Sequence, residues 1–123
     1  MSYAERHVVE VTTIADGSAT AYSDTITGKI SQIRYVKADF ASGVDFTITS
    51  EATGETIWSQ NDVNASATVA PRQPTHSTAG VAELFASGGT AVSDKIALAN
   101  DRIKIVIASG GNVKTGTFHF VIE

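Results

Sequence analysis

Cysteine is absent from the 123-residue chain, and three kinds of chemistry go with it. A disulfide framework, a thiolate zinc centre and a cysteine nucleophile are all excluded. The absence suits a protein made in a reducing compartment. Charge is also sparse: charged residues make up 18% of the chain, with 9 Lys+Arg against 13 Asp+Glu and a formal net charge of -4. Binding a phosphate backbone draws on clustered cations that release counterions. Here the cations are scattered from Arg6 to Lys114, with Lys29, Arg34 and Lys37 as the densest group, so nucleic acid is not an expected partner.

Long apolar runs are missing too. None approaches the ~20 residues that a membrane-spanning helix needs, so no membrane is expected. The stretch Met1-Ser2-Tyr3-Ala4-Glu5-Arg6-His7 lacks the apolar segment of a signal peptide, and production in a cytoplasm is the expectation. The length fits one domain better than two. A chain of this size buries roughly two thirds of its unfolded surface and needs no covalent staple.

What the sequence does have is alternation. Val44, Phe46 and Ile48 alternate with Asp45, Thr47 and Thr49, the period of a half-buried strand. Ile103, Ile105 and Ile107 repeat the pattern, as do Phe118, Phe120 and Ile122. Further strands are expected at His7–Thr13, Ala19–Tyr22, Thr27–Lys37 and Glu55–Gln60. The slip between Ile30 and Ile33 marks a β-bulge. Glu51-Ala52-Thr53-Gly54 reads as the turn of a hairpin. Ser66–Ala70, Val81–Ala86 and Lys95–Ala99 complete the set, with Val81–Ala86 open to one helical turn instead. The turn at Asn100-Asp101 follows the last of them.

No window carries a sustained helical stripe. Many short strands with Gly-rich turns predict an all-β, single-domain antiparallel β-sandwich, jelly-roll-like fold or small barrel over 1–123. Gly88-Gly89 and Gly110-Gly111 are expected in loops at an end of the stack. Both prolines, Pro71 and Pro74, fall in the polar stretch Gln60–Gly80. Proline locks φ and removes a donor, so this stretch is expected to be an extended surface arm outside the sheet interior.

Catalytic constellations do not emerge. His7, His76 and His119 have no ligand-like spacing. No Gly-x-Ser-x-Gly elbow occurs, and Gly110-Gly111-Asn112-Val113-Lys114-Thr115-Gly116-Thr117 leads into a strand where a phosphate loop needs a helix N-terminus. Neither a calcium-loop pattern nor any other cofactor signature is present. The expectation is a protein that is not an enzyme and carries no metal or cofactor.

The run Ile33-Arg34-Tyr35-Val36-Lys37-Ala38-Asp39-Phe40-Ala41-Ser42-Gly43-Val44-Asp45-Phe46-Thr47-Ile48-Thr49 resembles small virion proteins of tailed bacteriophages. Val63-Asn64-Ala65-Ser66-Ala67-Thr68, Pro71-Arg72-Gln73-Pro74-Thr75-His76 and Lys114-Thr115-Gly116-Thr117-Phe118-His119-Phe120 are similar to the same group. The resemblance implies a capsid decoration or cement protein on the head surface, a homotrimer that clamps the major capsid protein. The N-terminal segment 1–6, with Tyr3 and Arg6, and the arm 60–80, with Arg72, Gln73, Pro74 and His76, are the expected assembly contacts. Arg72 is expected to pair with a neighbour's carboxylate. Two other readings stand beside this one. One is a tail, head–tail joining or fibre component; the other is a carbohydrate-binding module using Trp58, Tyr22, Tyr35 and Phe40 as stacking platforms.

Overall fold

The computed structural model describes residues 4–123, and they form two antiparallel sheets packed face to face. The first sheet runs in the order β1 (Glu5–Thr12), β10 (Thr115–Ile122), β3 (Ile26–Lys37), β8 (Ser93–Asp101) and β7 (Arg72–Pro74). The long β3 holds a second partner on the β8 side, because β6 (Ala67–Val69) pairs with Ile33–Tyr35. The second sheet runs β2 (Ala19–Tyr22), β9 (Ile103–Ala108), β4 (Val44–Ser50) and β5 (Thr56–Val63). The fold is thus an all-β sandwich, and the alternating segments supply its central strands.

Alternation fixes which side chains meet between the sheets. Ile107 and Ile105 of β9 lie opposite Phe46 and Ile48 of β4 in the ladder, and Ile103 and Val44 are buried with them. From the other sheet come Phe118 and Phe120 of β10, with Ile33 and Tyr35 of β3. The aromatic rings cluster: Tyr35 meets Phe46 edge-on at 4.6 Å between centroids, and Phe46 meets Phe118 at 5.0 Å. Edge-on packing sets the positive ring edge against the negative face. Phe40, in the loop between β3 and β4, closes one end of this cluster over Gly116.

The expected slip in β3 is a bulge at Ser31. Gln32 pairs with Val121 and Ile30 with Ile122, so Ser31 has no partner in β10. The expected Asn100-Asp101 turn is a change of layer. Asn100 has φ 49°, Asp101 still belongs to β8, and the chain crosses to the second sheet through Arg102.

Asp101 holds that crossing. Its carboxylate accepts hydrogen bonds from the Ser50 hydroxyl, from Ala52 N at 3.0 Å and from Arg102 N at 2.8 Å. The Ser50 bond, then the two amides, keep its carboxyl below the usual range against the opposing effect of burial. One side chain thereby joins β8 of the first sheet to the β4–β5 turn of the second.

Candidate assembly surface

Where the sequence places an arm over 60–80, about half of that stretch is ordered into the sheets. Gln60–Val63 ends β5, Ala67–Val69 is β6, and Arg72–Pro74 is β7 at the edge of the first sheet. Proline is tolerated there because the lost donor falls on an edge strand. The projecting part lies later, over Thr75–Val92.

This projection is a small ribbon of three extended pieces. Thr75 N donates to Val92 O at 2.8 Å, Glu83 N to Thr75 O at 2.9 Å, and Val92 N to Glu83 O at 3.0 Å. Isolated bridges join His76 to Ala82 and Leu84 to Ala91. Ser77–Val81 and Phe85–Thr90 close its two turns. Val81–Leu84 is therefore extended, Phe85 and Ala86 bend into the turn at the tip, and there is no helical turn. Gly88-Gly89 lies at the ribbon's tip, while Gly110-Gly111 does sit at an end of the sandwich, where Gly110 N donates to Gly17 O at 2.9 Å.

Every residue over 78–90 is exposed. Three of them are large and apolar: Val81 at 64% of its free surface, Leu84 at 44% and Phe85 at 76%. The bridge pairing puts His76, Ala82, Leu84 and Ala91 on one side, and Val81, Glu83 and Phe85 on the other. Apart from the histidine, Glu83 is the only charged residue between Arg72 and Asp94. The sequence did carry a trace of this surface. Leu84-Phe85 is an apolar pair between a Glu and an Ala-Ser-Gly-Gly run, without the alternating neighbours that a core strand supplies.

The root of the ribbon is tied down. Arg72 Nη1 donates to Pro71 O at 2.9 Å and to Ser31 O at 3.2 Å. Beside it, Glu123 accepts from Lys95 Nζ at 2.6 Å and from the Ser31 hydroxyl at 2.9 Å. Those bonds, Lys95 first, lower the Glu123 carboxyl, and the Arg72 charge adds to the effect. Arg72, expected to reach a neighbour, is thus engaged with carbonyls of its own chain.

The other expected contact residues scatter. Tyr3 lies outside the described residues. Arg6 and Glu5, expected in a separate N-terminal segment, belong to β1, and Arg6 is exposed opposite Val121. Gln73 and Pro74 are exposed in β7, and His76 is exposed in the ribbon. The structure brings Arg72, Gln73, Pro74 and His76 together at the ribbon's root and leaves Arg6 on the far edge of the first sheet.

Of the four stacking platforms, Tyr35, Phe40 and Trp58 are buried in the core. Tyr22 alone is exposed, and the Arg102 guanidinium lies 4.2 Å over its ring. His7 faces the core side of β1, with Nε2 3.4 Å from Glu5, and His119 stands on the outer face beside Val8 and Arg34. Among the described residues, no three His, Asp or Glu side chains gather as a metal site. The chain matches no model of a known protein family, and no curated protein matches it.

Proposed function

We propose that the protein is a structural component of a tailed-phage particle, a capsid decoration protein that binds the head surface and stabilises the major capsid lattice. The observation that carries this reading is the ribbon Thr75–Val92, an almost uncharged projection with Val81, Leu84 and Phe85 in water. A two- or three-stranded ribbon with no layer beneath it is marginal on its own. Burial against a partner supplies the missing layer, and low charge removes the cost of desolvating unpaired ions. The tied root at Arg72 presents the ribbon from a rigid sandwich, which limits the ordering cost of docking. The resemblance of the sequence to phage virion proteins gives the partner.

In this reading the protein works by association alone. It binds the expanded shell and not its disordered alternatives, so mass action favours the shell. Copies arranged with the symmetry of the lattice, as the homotrimer expected here, multiply small contacts into a large total. Leu84→Ser and Phe85→Ser variants test it, because neither side chain supports the core. Purified protein is co-sedimented with expanded heads that lack it. Saturable binding by the parent chain and at least tenfold weaker binding by both variants is the expected result. A parent chain that stays in the supernatant would sink the reading.

A further inference from the structure

Four strands or strand pairs border the two sheets, and three of these borders are blunted. β2 has four residues. β5 is interrupted twice, with register shifts between Val44 and Phe46 of its partner and again between Ile48 and Thr49. β6 and β7 have three residues each, and Pro71 and Pro74 flank and end β7. Short length, bulges and proline are the devices that keep sheet edges from pairing. β1 is long, unbroken and free of proline, and the charges it carries, Glu5, Arg6 and Glu10, are of both signs. Its eight residues pair with β10 in unbroken register from Glu5↔Ile122 to Thr12↔Thr115. Among the described residues, no other strand pairs with its outer side.

The outer face of β1 reads Arg6, Val8, Glu10, all exposed, with Val8 at 55%. We infer that β1 pairs antiparallel with β1 of a second copy, centred on Val8, so that Arg6 lies opposite Glu10 of the other chain and the two first sheets become one. Register decides the matter. Directly opposed residues in an antiparallel pair share a face, so a two-fold pairing that continues both faces must be centred on a residue. Centring on Arg6 or on Glu10 opposes like charges. Centring on His7 sets Arg6 against Val8, and centring on Val9 sets Glu10 against Val8. Only the Val8 register places Arg6 against Glu10 twice and Val8 against Val8 once. On the inner face the same register sets the half-buried His7 ring against the half-buried Val9.

The pairing uses nothing of the ribbon and nothing of a phage head, so it stands or falls apart from the decoration reading. It is also compatible with a three-fold contact elsewhere, since two-fold and three-fold axes coexist in dihedral assemblies.

The test is the native mass of the full chain by sedimentation, followed by a charge-swap cycle. An even number of chains is expected; a monomer or trimer overturns the inference. Arg6→Glu and Glu10→Arg each oppose like charges at two symmetric places and should raise the dissociation constant about tenfold. The double variant Arg6→Glu/Glu10→Arg should restore it. Both positions are exposed, so loss of folding does not confuse the result. Equal association by all four proteins would overturn the pairing. Amide exchange gives a second readout: the outward-pointing amides of β1 are expected to become protected as concentration rises.

Discussion

The carbonyl of Ser31, displaced by the bulge in β3, receives a hydrogen bond from Arg72 at 3.2 Å. A kink in one strand and a cation forty-one positions later are thus parts of one device. Arg72→Ala should leave the sandwich folded, lower stability by about 1 kcal/mol and loosen the ribbon's root. Hydrogen exchange should accelerate over β7 and Thr75–Val92 while the β4 and β9 amides stay unchanged. Uniform acceleration across the chain would show that Arg72 supports the whole fold instead.

A second expectation concerns Gly116. A Cβ there would run into the Phe40 ring, and Phe40 is itself 2% exposed with nowhere to retreat. Gly116→Ala should cost about 2–3 kcal/mol in urea unfolding, the range for overpacking a filled core. Pairing it with Phe40→Leu should recover part of the loss, and a simple sum of the two single effects would disprove the contact.

Tyr35 carries a buried hydroxyl with no hydrogen-bond partner. Burial disfavours the phenolate and pushes its pKa up to about 12 from 10.0. A folded pKa above the unfolded one for an acid means that stability falls as pH rises past 10, because only the unfolded chain ionises freely. Tyr35→Phe should therefore gain about 1 kcal/mol at neutral pH and flatten the alkaline decline. Thermal melts at pH 7 and pH 11 check both statements. A less stable Tyr35→Phe protein would mean that the hydroxyl has a partner after all.

Asp101 gives the opposite pH dependence. Its carboxyl lies below the ordinary 3.8 of an aspartate, held there first by Ser50. A depressed folded pKa contributes stability that is complete at neutral pH and is lost as pH falls below about 3.8 through the lower folded value. Asp101→Ala should cost about 2–3 kcal/mol at pH 7, since it strands the Ser50 hydroxyl and two amides. The gap from the parent chain should narrow in acid, and a gap constant from pH 7 to pH 2 would refute the assignment.

The body of the sandwich was legible because its strands bury one face: Phe46, Ile105 and Phe118 fall on the beat that the pleat requires. The Ser31 bulge was legible for the same reason, as a broken beat. β5 was harder, since its two register shifts scramble the alternation around Trp58 and Asp62. The ribbon left almost no trace. Its pairings at His76 and Leu84 are single bridges, too short for any period, and no core face dictates its side chains. Arg72 was legible as a cation in an extended segment but not as a partner of Ser31, because local pattern cannot see a carbonyl so far along the chain. The stacking role for Tyr35, Phe40 and Trp58 failed on composition: with aromatics at 7% of residues, the core takes six of the nine, these three among them.

The two interruptions in β5 bear on crowding. Many copies of a β-rich chain made at once risk growing into fibres, since each added strand offers a fresh template to the next. Here the second sheet ends on a strand whose backbone has been bent out of line at both ends. Pairing through β1 would consume that edge in both copies, and the far border of the first sheet is the three-residue, proline-ended β7, so no long unbroken edge is left to template a further addition.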